Sequence, residues 1–145
     1  MYIEKILEIS DELYEAVCRL VPQLGAHKRI PTRKELTALV NSESSTLWIV
    51  RYPDRSGAME GMLTLAIYRV PTGLRSIVED VVVDQNLRRH GIAEALLRSA
   101  IEFARDAGAN GVALTSNPQR EAANLLYQSL GFERRETNSY FYKVK

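Results

Sequence analysis

A chain of 145 residues has the size of one ordinary domain and is long enough to bury a full core without disulfides or metal staples. With 46% hydrophobic and 26% charged residues it reads as globular, and a net charge of +1, from 19 basic and 18 acidic residues, argues against a protein that engages nucleic acid or a membrane through its overall charge. The lone cysteine, Cys18, excludes an internal disulfide and fits a reducing compartment, where it is expected to pack as a small buried group. The N-terminus MYIEKILEIS lacks a signal-peptide apolar run, and no stretch approaches the ~20 apolar residues of a membrane span. A cytoplasmic protein with no membrane partner is expected.

In chain order, YIEKIL suits a short first strand. Ser10 followed by Asp11 and Glu12 starts a helix whose Leu13, Val17 and Leu20 share a face, and Pro22 and Gly25 break it. PTRKELTALVNS is a second helix, with Thr32 and Glu35 spaced as a capping box and Leu36, Leu39 and Val40 as its stripe. TLWIVRY, MEGMLTLAIYRV and SIVEDVVV are strands joined by the turns PDRSG and PTGLR, and connections this short imply antiparallel pairing. From Gly91 to Gly108 the apolar residues Ile92, Leu96, Leu97, Ala100, Ile101 and Ala104 keep helical spacing, with Gly108 placed to cap the end. GVALTS is a short strand, and PQREAANLLYQSL a helix started by Pro118 and ended by Gly131. FERRETNSYFYKV reads as two short strands with a turn at Thr137-Asn138-Ser139. Strand, crossover helix and strand over 77–115 form a parallel βαβ unit behind the meander. The whole is one α+β (mixed α/β) domain over 1–145, a mixed and mostly antiparallel sheet of about seven strands flanked by about four helices.

The stretch NLRRHGIAE, residues 86–94, sits where a strand hands over to a helix. A helix N-terminus exposes unpaired N–H groups and partial positive charge, and a glycine lets the chain approach an anion closely. Arg88, Arg89 and His90 add cationic donors. The spacing is neither GxGxxG nor GxxxxGK[ST], so it indicates neither a dinucleotide site nor an NTPase. His27 and His90 are each isolated, no His/Cys/Asp cluster has ligand spacing, and no metal is expected.

These residues resemble the GNAT superfamily of acyl-CoA-dependent N-acyltransferases. Its signature [Gln/Arg]-x-x-Gly-x-[Gly/Ala], between the fourth strand and third helix, is met by Arg88-Arg89-His90-Gly91-Ile92-Ala93. A second motif, a helix with Ala, then Leu-Tyr, then Gly-Phe, is met by REAANLLYQSLGF, with Tyr127 and Gly131-Phe132. The resemblance is good over roughly 45–145 and looser before that. It implies acetyl-CoA as co-substrate, with its pyrophosphate on the amides of the 88–93 loop, Glu94 included in the first turn, and its pantetheine along Val81, Val82 and Val83. Arg120 and Asn124 are further positions that could reach it. The family's fourth strand usually carries a bulge, which this sequence does not reveal.

Moving an acetyl group from a thioester to an amine requires a deprotonated amine, a stabilised oxyanion and a proton for the leaving thiolate. The resemblance makes Tyr127 the candidate donor and a backbone N–H near Val82 or Val83 the oxyanion partner. Glu79 is the candidate base, with Asp80 expected on the opposite face of a regular strand. The family's alternative position for a base falls near Thr115, which cannot act as one. The acceptor, a primary amine of a small molecule or peptide, would lie among VPQLGAHKRIPTRKEL, YRVPTGLR and the tail TNSYFYK. There Tyr68, Arg69, Arg75, Tyr140 and Tyr142 would suit a carboxylate-bearing substrate. The competing readings are an acyl-CoA-binding sensor or partner module without turnover, and a nucleic-acid-binding domain, which the near-zero charge disfavours. The aromatic tail SYFYKV is expected to support a homodimer.

Overall fold

The computed structural model describes residues 1–145, which divide into two compact units, 1–114 and 115–145. The first holds β1 (Tyr2–Lys5), α1 (Asp11–Leu20), α2 (Arg33–Val40), β2 (Ser45–Tyr52), β3 (Ala58–Val70), β4 (Gly73–Val83), α3 (Ile92–Asp106) and β5 (Val112–Ala113). Short 3-10 turns follow α1 and β4, at Val21–Leu24 and Gln85–Leu87. The strands form one sheet in the order β1-β2-β3-β4-β5. The first four pair antiparallel and β5 runs parallel to β4. The second unit holds α4 (Glu121–Ser129).

Local chemistry explains where the helices begin and end. Ser10 accepts the Leu13 N–H through its side chain, and Thr32 and Glu35 close a full capping box over the first turn of α2. At the end of α3, Gly108 takes φ +88°, the Ala109 N–H returns to Ala104 O and the Gly108 N–H to Arg105 O, which is a Schellman termination. α4 ends in the same way around Gly131.

The sheet is covered on both faces. Leu13, Val17 and Leu20 of α1 and Leu36 of α2 pack with Leu47, Ile49, Met59, Met62 and Val82 on one of them. α3, with Leu96, Leu97 and Ala100 fully buried, packs against β2, β3 and β4. Truncating a fully buried leucine such as Leu36 to alanine in a core of this kind costs about 2–5 kcal/mol.

The structure departs from the sequence expectations at four places. The sheet has five strands rather than about seven, because residues 132–145 adopt no strand. Aromatic residues favour strands only where a ladder is available to join, and β5, at two residues, is too short to extend the sheet far. α4 starts at Glu121 rather than Pro118, since Asn117 closes a turn first: its O accepts the Arg120 N–H and its side chain the Gln119 N–H. Cys18 is half-buried rather than fully buried. β4 is not regular, and its irregularity shapes the site.

Candidate active site

β4 carries the site from end to end. Ser76 and Ile77 pair with Val112 and Ala113, anchored by the buried Ser76 hydroxyl donating to Gly111 O at 2.6 Å. Beyond that the two strands part, and Val78–Val83 keeps β3 as its only strand neighbour. At the far end the Asp84 N–H bonds Glu60 O of β3 at 2.8 Å. Strand alternation then turns the N–H groups of Val83 and Val81 to the edge that β5 leaves unpaired. The resemblance placed the pantetheine on these two residues.

A bulge interrupts β4 in between. Met62 faces Val82 and Thr64 faces Glu79, so two steps on β3 span three on β4. Asp80 takes up the extra residue at φ +50°, a left-handed conformation that aspartate tolerates better than most side chains. Directly opposed residues in a sheet project to the same face, which puts Glu79 beside Thr64. Asp80 lines a cavity of about 210 Å³ together with Thr64, Met62 and Leu47. The two neighbouring carboxylates therefore serve one face, where regular alternation assigned them to two. Both are exposed.

That cavity has an apolar interior and a charged rim. Val17, Val21, Leu24, Leu36, Leu39, Leu47 and Met62 supply the apolar part. Asp80, Lys28, Arg29 and Glu35 supply the charges. Arg29 and Glu35 neutralise each other through two hydrogen bonds of 2.8 and 2.6 Å. With the Thr32 backbone and side chain adding to it, this pair holds the Glu35 carboxyl down at about 2.

Past Val83 the chain is tied down before it reaches α3. Asp84 is buried and accepts from Arg19 at 2.7 Å, from the Asn86 N–H at 2.9 Å and from Gln23 at 3.3 Å. Gln23 also accepts the Gln85 N–H at 2.8 Å, and Arg19 reaches Glu60 at 3.3 Å. The Asn86 N–H, with Gln23 and Arg19 assisting, holds the Asp84 carboxyl below its ordinary value, against the opposing pull of burial. Nothing in the sequence pattern singled out Asp84, Arg19 or Gln23, because they meet across sixty or more positions.

The loop itself is shaped by two left-handed residues, Arg89 at φ +69° and Gly91 at φ +76°. Gly91 is the N-cap of α3 with no side-chain cap, and the first helical bond runs from the Ala95 N–H to Gly91 O at 3.1 Å. The amides of residues 91–94 therefore have no intrahelical acceptor. No atom lies within 4 Å of the point where a Gly91 Cβ would stand. Free amides and open space at a helix N-terminus are features that suit an anion. Arg88, Arg89 and His90 are exposed around it, Ile92 is buried, and Ala93 is half-buried. Glu94 is held by Arg98 at 2.9 Å. His90 serves the loop from within: its Nδ1 lies 3.1 Å from both Leu87 O and Arg88 O, and its ring meets Tyr52 edge-to-face at 5.5 Å.

In the second unit, Tyr127 is buried, and burial raises its hydroxyl above the ordinary tyrosine value while Arg120 pulls the other way. The Phe132 N–H bonds Tyr127 O at 3.0 Å, and the two rings meet edge-to-face at 6.0 Å. The Leu-Tyr…Gly-Phe motif is thus a Schellman cap whose hydrophobic contact orients the tyrosine. Asn124 donates to Asn117 O at 3.0 Å, and Arg120 is exposed as the N-cap of α4. Of the side chains expected to receive the acceptor, Tyr68 and Arg75 face each other near the β3–β4 turn, and Tyr140 and Tyr142 are exposed in the tail. Tyr68, Arg69 and Arg75 do not line the cavity.

An α+β sheet opened beside its fourth strand and leading into an uncapped helix N-terminus defines an acetyltransferase-type architecture. Residues 10–132 match the model of the acetyltransferase (GNAT) family, and the chain belongs to that family. It is 30% identical over 105 residues to N-acetyltransferase family 8 member 3 of Rattus norvegicus, covering 71% of this chain and 44% of the relative. To human N-acetyltransferase 8B it is 49% identical over 63 residues, 43% of this chain and 26% of that one. The matched part thus spans less than half the length of these curated relatives. Among solved structures it superposes on an aminoglycoside acetyltransferase from an uncultured soil metagenomic sample with a TM-score of 0.84 at 20% identity, over 99% of this chain and 96% of that chain. An acetyltransferase of Trypanosoma brucei gives 0.75 at 21%, over 98% and 100%. No helix is long and apolar enough to cross a membrane.

Proposed function

We propose that this protein transfers the acetyl group of acetyl-CoA to a primary amine. The observation that carries the reading is the course of β4, which parts from β5 after Ile77 and runs on to the free amides at the start of α3. A pyrophosphate on the amides of residues 91–94 leaves the pantetheine free to pair with Val81 and Val83, as an added strand would. The thioester then reaches the bulge, where Asp80 and Glu79 offer carboxylates to the amine.

The step balances simply. An ammonium acceptor gives one proton to a carboxylate, and its lone pair attacks the carbonyl carbon. The oxyanion that forms is held by a β4 amide, the C–S bond breaks as the amide forms, and the amine's second proton is lost to solvent. By the match to the family motif, Tyr127 is the candidate to give the thiolate a proton, and it would then recover one from solvent as the carboxylic acid gives its own up. A hydroxyl whose ionisation burial disfavours is protonated at neutral pH, as a donor must be.

Acetyl-CoA binding by calorimetry, followed by thiol release over a panel of amines, tests the reading. Binding without amine-dependent release would leave a sensor or partner module instead. Tyr127→Phe is expected to slow release by about tenfold or more, and wild-type turnover would remove the tyrosine from the mechanism.

A further inference from the structure

The family reading says nothing about which amine is used. From the 210 Å³ cavity between α1, α2 and the bulge we infer that the acceptor is a free apolar α-amino acid. This rests on the acetyltransfer reading for its chemistry, but the cavity argues the substrate class by itself. Ligand sites for drug-sized molecules begin at roughly 300 Å³, so this one suits something smaller. Its lining is mostly apolar, with Val17, Val21, Leu24, Leu36, Leu39 and Met62, and the Thr64 hydroxyl is its one uncharged polar side chain.

The charges at its rim sort into one pair that is used and two that are free. Arg29 and Glu35 satisfy each other, while Asp80 and Lys28 make no side-chain hydrogen bond or ion pair. One free anion and one free cation around an apolar hollow match a zwitterion with an apolar side chain. The ammonium goes to Asp80, on the strand where the thioester is proposed to lie. The carboxylate goes to Lys28, and the side chain fills the hollow. A polyamine or an aminoglycoside needs several free carboxylates and no apolar hollow. The aminoglycoside acetyltransferase that shares the fold does not lend its substrate to this cavity.

Thiol release by the full chain with saturating acetyl-CoA tests this on L-phenylalanine, L-leucine, L-phenylalaninamide, glycine, spermidine and sisomicin. The two apolar amino acids are expected to show the highest kcat/KM, about 1.5-fold to fivefold above the amide, the range that one solvent-exposed ion pair contributes. Lys28→Gln is expected to abolish that advantage. Leu39→Trp, which fills the hollow, is expected to lower the rate with L-phenylalanine and spare that with glycine. Spermidine or sisomicin turning over as well as L-phenylalanine would overturn the inference, as would an amino-acid advantage that survives Lys28→Gln. Two binding measurements separate this from the broader reading. A protein that fails to bind acetyl-CoA refutes the acetyltransfer reading. Direct calorimetry of L-phenylalanine on Leu39→Trp and the unmodified chain then decides the cavity's occupant alone: weakened binding in the variant supports the inference, and equal or absent binding in both sinks it.

Discussion

The helix-terminus loop and the cavity beside the bulge lie on the same strand, yet they are built from different materials. The loop at 88–94 presents backbone amides, and its shape depends on a glycine at φ +76° and on a histidine bonded to the loop's own carbonyls. The cavity presents side chains from the first two helices and from three strands, with Asp80 turned into it by one extra residue in β4. An amide site is nearly indifferent to the side chains around it. A side-chain cavity changes character with each substitution and can choose among acceptors. In the proposed function the loop would hold the donor and the cavity would select the acceptor, and mutations should separate the two.

The sharpest separation is expected from Asp80→Asn. Asparagine keeps the left-handed backbone, so the fold is preserved while the carboxylate is lost. Amine-dependent thiol release should fall about a hundredfold, within the range of lost acid–base catalysis, while the Kd for acetyl-CoA moves less than about twofold. A parallel loss of acetyl-CoA binding would erase the distinction between the two regions.

Gly91→Val should do the reverse. Placing a β-branched residue at φ +76° costs about 1–2 kcal/mol, close to tenfold in acetyl-CoA affinity if the loop must distort to bind. His90→Ala, which removes an internal brace and no phosphate amide, should cost about threefold or less. Small and equal effects from both would mean the phosphates sit elsewhere.

Arg19→Ala probes the joint between the regions. It leaves the buried Asp84 carboxylate with only the Asn86 N–H and Gln23, at a cost of about 1–2 kcal/mol. Thermal unfolding followed by circular dichroism should show a fall of about 3–6 °C. An unchanged Tm would show that the network contributes nothing to the fold.

The smallest effect is local. Glu35 titrates at about 2 in the folded chain, below its ordinary 4.5, so its contribution is present above the ordinary value and lost as pH falls from 4.5 toward 2. Hydrogen exchange of the first turn of α2 should accelerate across that window without a global transition. A Glu35 carboxyl found by NMR to titrate at the ordinary value would refute the capping-box and Arg29 contacts together.

The loop was legible in the sequence and the cavity was not, for the same reason that their materials differ. A backbone-built site needs a glycine at one place and a helix after it, and Gly91 followed by Ile92, Leu96 and Leu97 states both. The helix caps at Ser10, Thr32, Gly108 and Gly131 were readable because each is settled within a few residues. The bulge is a relation between two strands. Glu79 and Asp80 look like ordinary alternation until the pairing with Met62 and Thr64 is known, so the notion that only one of them faces the cleft could not be corrected from sequence. The Asp84 network and the brevity of β5 are likewise settled by distant partners. The aromatic tail misled because its strand propensity is real while the sheet ends elsewhere.

The left-handed backbone at position 80 screens its occupants before any reaction does. Glycine, asparagine and aspartate enter that conformation at little cost, and glutamate does not. If the bulge relaxed to admit a longer acid, strand alternation would turn over the residues after it. Val82 would leave the core it shares with Met62, and the amides of Val81 and Val83 would turn from the open edge toward β3. The choice of acid at one position and the aim of the open edge of β4 are thus a single choice, so variation at position 80 should stay within its short side chains.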